Sequence, residues 1–141
     1  MRVFIFTLSI LLVDQLSKQW VLAADELPWW LIDGQVGFRL SFNEGVAFSV
    51  PITGWWVISI NILIICGLLF YFSQYIKSSL FSHTVQALVI GGALGNLVDR
   101  FTEGAVVDFI QIYWYPIFNL ADMFVFVGVG LMVFFYKKLE V

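Results

Sequence analysis

A membrane all-α bundle of four transmembrane helices, with a small extracytoplasmic β-sheet and a short interfacial helix, is the fold class this sequence predicts. Three observations predict it. Hydrophobic residues make up 61% of the 141 residues and charged residues only 12%, with a mean hydropathy of +0.94. A soluble core of this length cannot hide so much apolar surface. Four segments reach the roughly 20 residues needed to cross a bilayer: residues 3–24, 54–75, 84–101 and 119–136, with long loops at 25–53 and 102–118. The acidic residues, finally, are not spread evenly: of ten, nine fall in those two loops or in the outward parts of helices 1, 3 and 4. Residues 1–141 are read as one membrane domain.

The first apolar segment follows Arg2 and must be tested as a cleavable leader. Its apolar run ends at Val13, and Asp14 and Lys18 intervene before Ala24, whereas a cleavage site sits close behind the apolar core. It is read as a retained helix. Four spans put both termini on one side. Arg2, Lys77, Lys137 and Lys138 fall at the termini and the loop between helices 2 and 3, against Lys18, Arg39 and Arg100 toward the other side. The bias is slight, but Lys18 and Arg100 belong to helices rather than loops, so the termini are assigned to the cytoplasm.

The loop of residues 25–53 is not simply polar. Pro28-Trp29-Trp30-Leu31-Ile32 is short and aromatic, which suits a segment lying in the interface. After the turn signal Asp33-Gly34, residues 36–42 alternate apolar and polar, the period of a strand. Asn43-Glu44-Gly45 would turn the chain, and residues 46–50 could pair back. Residues 105–110 would join the sheet with Val106, Asp108 and Ile110 on one face. Unpaired strands cannot sit in hydrocarbon, so this sheet must lie at the membrane surface.

In the third segment Ala87, Gly91 and Gly95 form a small-residue stripe that lets a neighbouring helix approach closely. A packing face explains the glycines; it explains less well why Asn96, Asp99 and Arg100 gather in one turn at the outer end. The fourth segment opens Asn119-Leu120-Ala121-Asp122. An N-cap asparagine with an acid three residues on accounts for this pair as well as a functional site does. Either way Asp122 lies in the first turn, where the helix dipole favours an anion.

The composition excludes much. A net charge of −3 speaks against nucleic acid. The lone cysteine, Cys66, can form no internal disulfide, and the lone histidine, His83, has no partner for a zinc site. Neither GxSxG, HExxH nor a glycine-rich phosphate loop occurs. Ser17 and Lys18 are adjacent and point about 100° apart on a helix, so they make a poor dyad; Asp14 and Lys18, four apart, share a face and pair. What remains is Asp108 in an apolar run and Asp122 at a helix start, two carboxyl groups in places where charge is costly. Two acids sharing a site split their pKa values, giving a base to activate water and an acid to protonate a leaving amine, with no cofactor. The dipole favours Asp122 as the ionised member and Asp108 as the holder of the proton.

The runs DQLSK (14–18), FNEGVAFS (42–49), GGALGNLVDR (91–100), VVDFI (106–110) and FNLAD (118–122) resemble, in order and over most of the chain, the successive motifs of the lipoprotein signal peptidase (signal peptidase II) family. The resemblance implies a multi-pass aspartic endopeptidase of the bacterial cytoplasmic (inner) membrane, monomeric and free of metal. Such enzymes cut diacylglyceryl-modified prolipoproteins just before the lipid-bearing cysteine. It implies Asp108 and Asp122 as the catalytic pair, Asn43, Asn96, Arg100 and Asn119 as residues lining the site, and Asp14 and Asp99 as its supports. It also implies a surface sheet acting as a cradle and Trp29–Trp30 as part of a mobile lid. Two other classes stay open on residues alone. A proton- or cation-coupled transporter would want acids through the membrane depth and two similar halves; a non-enzymatic assembly subunit would explain the glycine stripe but not two costly acids.

Overall fold

The computed structural model describes residues 1–45 and 54–139. In chain order it contains α1 (Arg2–Leu22), β1 (Trp29–Ile32), β2 (Val36–Asn43), α2 (Trp55–Tyr75), α3 (Leu80–Thr102), β3 (Val106–Ile112), α4 (Leu120–Phe134) and a short α5 (Tyr136–Leu139). The strand expected over residues 46–50 lies outside the described residues, as does Glu140.

α1, α2 and α3 are long and apolar enough to cross a membrane. Leu63, Phe70 and Phe126 are 72%, 65% and 79% exposed, a surface that only lipid can cover, and the chain is a multi-pass membrane protein. The fourth expected span is shorter than the sequence suggested. α4 has 15 residues, about 22 Å of helix against a hydrocarbon core of about 30 Å. It stops because Phe135 leaves helical geometry (φ −116°, ψ 26°), and α5 resumes one residue later. α3 begins four residues before the expected start, because the Ser79 hydroxyl caps it by accepting from the Ser82 amide at 3.0 Å.

α3 is the central helix, packed against α1 on one side and α4 on the other. Its glycines make this possible. A methyl group at Gly91 would run into Ile10 of α1, and one at Gly92 into Ala121 and Val125 of α4. Toward the opposite end, Ile65 and Phe72 of α2 bury against Val85, Val89 and Ile90 of α3, and Leu139 closes this cluster.

The three strands form one antiparallel sheet in the order β1-β2-β3. Ser41, Phe42 and Asn43 pair with Asp108, Val107 and Val106, with a register shift between Phe38 and Ser41. Trp29–Ile32 is a strand, not the expected interfacial helix. Tryptophan, leucine and isoleucine favour the pleated state, Gly34 at φ 64° makes the tight turn to β2, and Gly37 lets Trp30 pair directly opposite it. Trp29 stacks on Phe38 with centroids 5.7 Å apart, and Trp20 at the end of α1 meets the same ring edge-on at 5.8 Å. The sheet is thereby tied to the end of α1, and β3 packs against α3 as well. Alternation along β3 gives way to burial of all four residues from Val106 to Phe109, since the strand is packed against α1 and α3 as well as β2.

Candidate active site

β3 carries Asp108, and the chain then loops back so that Phe118 pairs with Ile110: the Ile110 amide donates to the Phe118 carbonyl at 2.8 Å and Phe118 returns the bond at 3.1 Å. That pairing sets Asn119, the next residue, beside Asp108 and starts α4 there. Asn119 is fully buried. Its Nδ2 donates to Asp108 Oδ1 at 2.7 Å, and its Oδ1 accepts from the Asp122 amide at 2.9 Å. Asp122 Oδ2 reaches back to the Asn119 amide at 3.4 Å, completing a capping box. The cap expected from the sequence is therefore real, and it is also the bridge between the two aspartates.

Asn96 of α3 adds a second bridge. Its Nδ2 donates to Asp122 Oδ1 at 2.7 Å, while its Oδ1 accepts from Asn119 at 3.0 Å. Asn43, at the exposed end of β2, donates to Asp108 Oδ2 at 3.2 Å. Arg100 lies one turn beyond Asn96; its guanidinium donates to the carbonyls of Asn96 at 3.0 Å and Gly45 at 3.3 Å. Asp108 is only 2% exposed, and burial first, then the neighbouring charge of Asp122, push its carboxyl up to about 7 despite bonds from Asn43 and Asn119. Asp122 is half-buried, so water has access to one side of the pair.

Asp14 and Asp99 sit just behind. Lys18 donates to Asp14 Oδ2 and Asp99 Oδ2, both at 2.7 Å, and to Asn96 Oδ1 at 3.1 Å. Gln15 donates to Asp99 Oδ1 at 2.9 Å. All eight residues singled out in the sequence, Asp14, Asn43, Asn96, Asp99, Arg100, Asp108, Asn119 and Asp122, thus belong to one network. Two members were not among them. Lys18 had a signal, its spacing of four from Asp14; Gln15, between Asp14 and Leu16, had none beyond its place in the first apolar segment. Ser17 turns away, its hydroxyl donating to the Asp14 carbonyl at 2.6 Å.

The chain matches the profile of the family described as "Signal peptidase (SPase) II" over residues 6–137. It belongs to the signal peptidase II family. Proteins similar to it include a lipoprotein signal peptidase of Xylella fastidiosa (strain M12), 38% identical with 95% of this chain and 89% of that one covered. Another, from Shewanella sp. (strain MR-4), is 39% identical with coverage of 93% and 85%. Among solved structures, one described as a bacterial membrane enzyme determined by the in meso method at 1.9 Å resolution superposes with a TM-score of 0.82 at 28% identity, covering 96% of this chain and 92% of that one. Family membership makes the chain a protease of lipoprotein processing, set among membrane-spanning helices.

Proposed function

We propose that this protein is an aspartic endopeptidase that removes the signal peptide from diacylglyceryl-modified prolipoproteins, cleaving before the lipid-modified cysteine. The observation that carries the reading is the asparagine bridge: Asn119 bonds the Asp108 carboxyl and the Asp122 backbone at once, so a strand acid and a helix-tip acid face one another across a single side chain. Asp108, with its raised affinity for a proton, holds the shared proton at rest. Asp122, at the positive end of a helix, is the ionised partner. Asp122 takes a proton from water as the oxygen attacks the scissile carbonyl carbon. Asp108 gives its own proton to the carbonyl oxygen to make a tetrahedral diol. The carbon–nitrogen bond then breaks as the amine takes up the proton held by Asp122 and a diol hydroxyl returns its proton to Asp108, leaving the new carboxyl group and the resting pair.

The surroundings suit a substrate that is itself a membrane helix. An apolar cleft of about 580 Å³ lined by Tyr113, Trp114, Phe118, Met123 and Phe126 opens beside Asp122. Acyl chains can stay in lipid while depth in the bilayer sets the position of the bond, leaving orientation and proton transfer to the protein. The site faces the extracytoplasmic side of the inner membrane, with both termini in the cytoplasm and α4 with α5 serving as the fourth crossing. Acids collected at one end of the bundle favour this over a transporter.

The test is cleavage, by purified protein in detergent, of a lipid-modified prolipoprotein and of its unmodified form. Wild type is expected to cut only the former, and Asp108→Asn and Asp122→Asn each to abolish cutting. Activity surviving either substitution would overturn the aspartic mechanism.

A further inference from the structure

Lys18 is 1% exposed, and its three ammonium protons go to Asp14, Asp99 and Asn96. What the two aspartates do with their remaining capacity is the informative part. Asp14 Oδ1 accepts the backbone amide of Ala121 at 2.9 Å, and Asp99 Oδ2 accepts the backbone amide of Val107 at 3.1 Å. Ala121 immediately precedes Asp122, and Val107 immediately precedes Asp108. One cation therefore draws together two anions, and each anion grips the amide of the residue just before one member of the pair. Gln15 links the same two carboxylates, at 3.3 Å to Asp14 and 2.9 Å to Asp99. Without the ammonium, two buried like charges would face each other with only amide donors between them, and would move apart.

We propose that Lys18 is a positioning residue: by holding Asp14 and Asp99 on one ammonium it sets the separation of the backbone segments that carry Asp108 and Asp122. The proposal rests on the aspartic-peptidase reading. A buried ion cluster could also serve merely to hold α1 against α3, so the test needs readouts that such a role would not move. The charged groups around Lys18 are Asp14 on its own helix and Asp99 on α3, Asp108 on β3 at longer range, and, through Asn96, Arg100 on α3 and Asp122 on α4.

The experiment compares Lys18→Met and Asp99→Asn with wild type, measuring kcat, KM, thermal unfolding and the pH profile of kcat/KM. Misplacing reacting groups by about 1 Å costs on the order of a hundredfold, so both variants are expected to lose about ten- to a hundredfold in kcat with KM within about twofold. The alkaline limb, where the shared proton leaves, is expected to move in opposite directions. It rises when the lysine cation is removed and falls when the Asp99 anion is removed. Wild-type kcat and limbs in folded Lys18→Met would overturn the proposal, as would a kcat loss that tracks unfolding with neither limb displaced. Should Lys18→Met fail to fold, Asp99→Asn decides alone: a lower kcat with a lowered limb supports the proposal, and an unchanged kcat or limb overturns it. Cleavage surviving in Asp108→Asn or Asp122→Asn would instead overturn the mechanism itself, a distinct result.

Discussion

Asn119 performs two separable tasks, and two substitutions can divide them. Its Oδ1 caps α4 through the Asp122 amide at 2.9 Å, and its Nδ2 donates to the Asp108 carboxylate at 2.7 Å. Asn119→Ser keeps a capping oxygen but has no amide to reach Asp108; Asn119→Ala removes both. A hydrogen bond to a charged group contributes about 1.5–3 kcal/mol, and one pKa unit corresponds to about 1.4 kcal/mol. Losing this bond should therefore lift Asp108 by roughly one to two units above its native value of about 7, the Asn43 bond remaining. In a pair that shares one proton, release of that proton ends activity on the alkaline side. The alkaline limb of kcat/KM, measured on lipid-modified prolipoprotein in detergent, should thus move up by about that amount in both variants. Only Asn119→Ala should also lose about 1 kcal/mol of stability, the usual value of a helix cap. A limb that stays put in Asn119→Ser but moves in Asn119→Ala would trace the effect to the cap, and a limb unmoved in both would refute the coupling.

The same carboxyl makes stability depend on pH. Its folded value, about 7, stands above the ordinary 3.8, so the folded state binds the extra proton in that window and stability falls as pH rises from about 4 to about 7. Asp108→Asn should flatten that decline, as read by denaturant unfolding across the window. Gly95→Ala should cost about 1–3 kcal/mol and most of the activity, because its methyl would meet the Asp14 carboxylate and Ala121. Gly67→Ala, inside α2 where nothing lies within 4 Å, should leave the cleavage rate unchanged and raise stability by about 0.4–1 kcal/mol, by thermal unfolding and cleavage rate. Gly37→Val would drive a side chain into the Trp29 carbonyl and Trp30; hydrogen exchange at the amides of residues 29–32 should rise to that of an unpaired segment.

Periodicity made β2, β3 and the apolar helices legible, and the cost of burying charge singled out Asp108 and Asp122 before any coordinates. The element ends were less legible. Ser79 looks like loop chemistry until its hydroxyl is seen capping α3, and Phe135 gives no sign that it will end α4. Trp29–Ile32 carries the aromatic marks of an interfacial segment and of a strand alike; pairing opposite Gly37 decided between them. The closing of the site was the hardest part to foresee. It depends on Phe118 returning to Ile110 and on α1 supplying Lys18 and Gln15 to residues some eighty positions away, contacts that leave no local pattern. The sequence could show that Asp14 and Lys18 share a face, but not which amides the aspartate would serve.

The bond from Asp14 to the Ala121 amide joins residues 107 positions apart. A nascent chain reaches the membrane with Asp14 well ahead of Asp122, and until α4 arrives neither carboxyl has its surroundings. On the proposed mechanism a half-inserted copy is consequently inert.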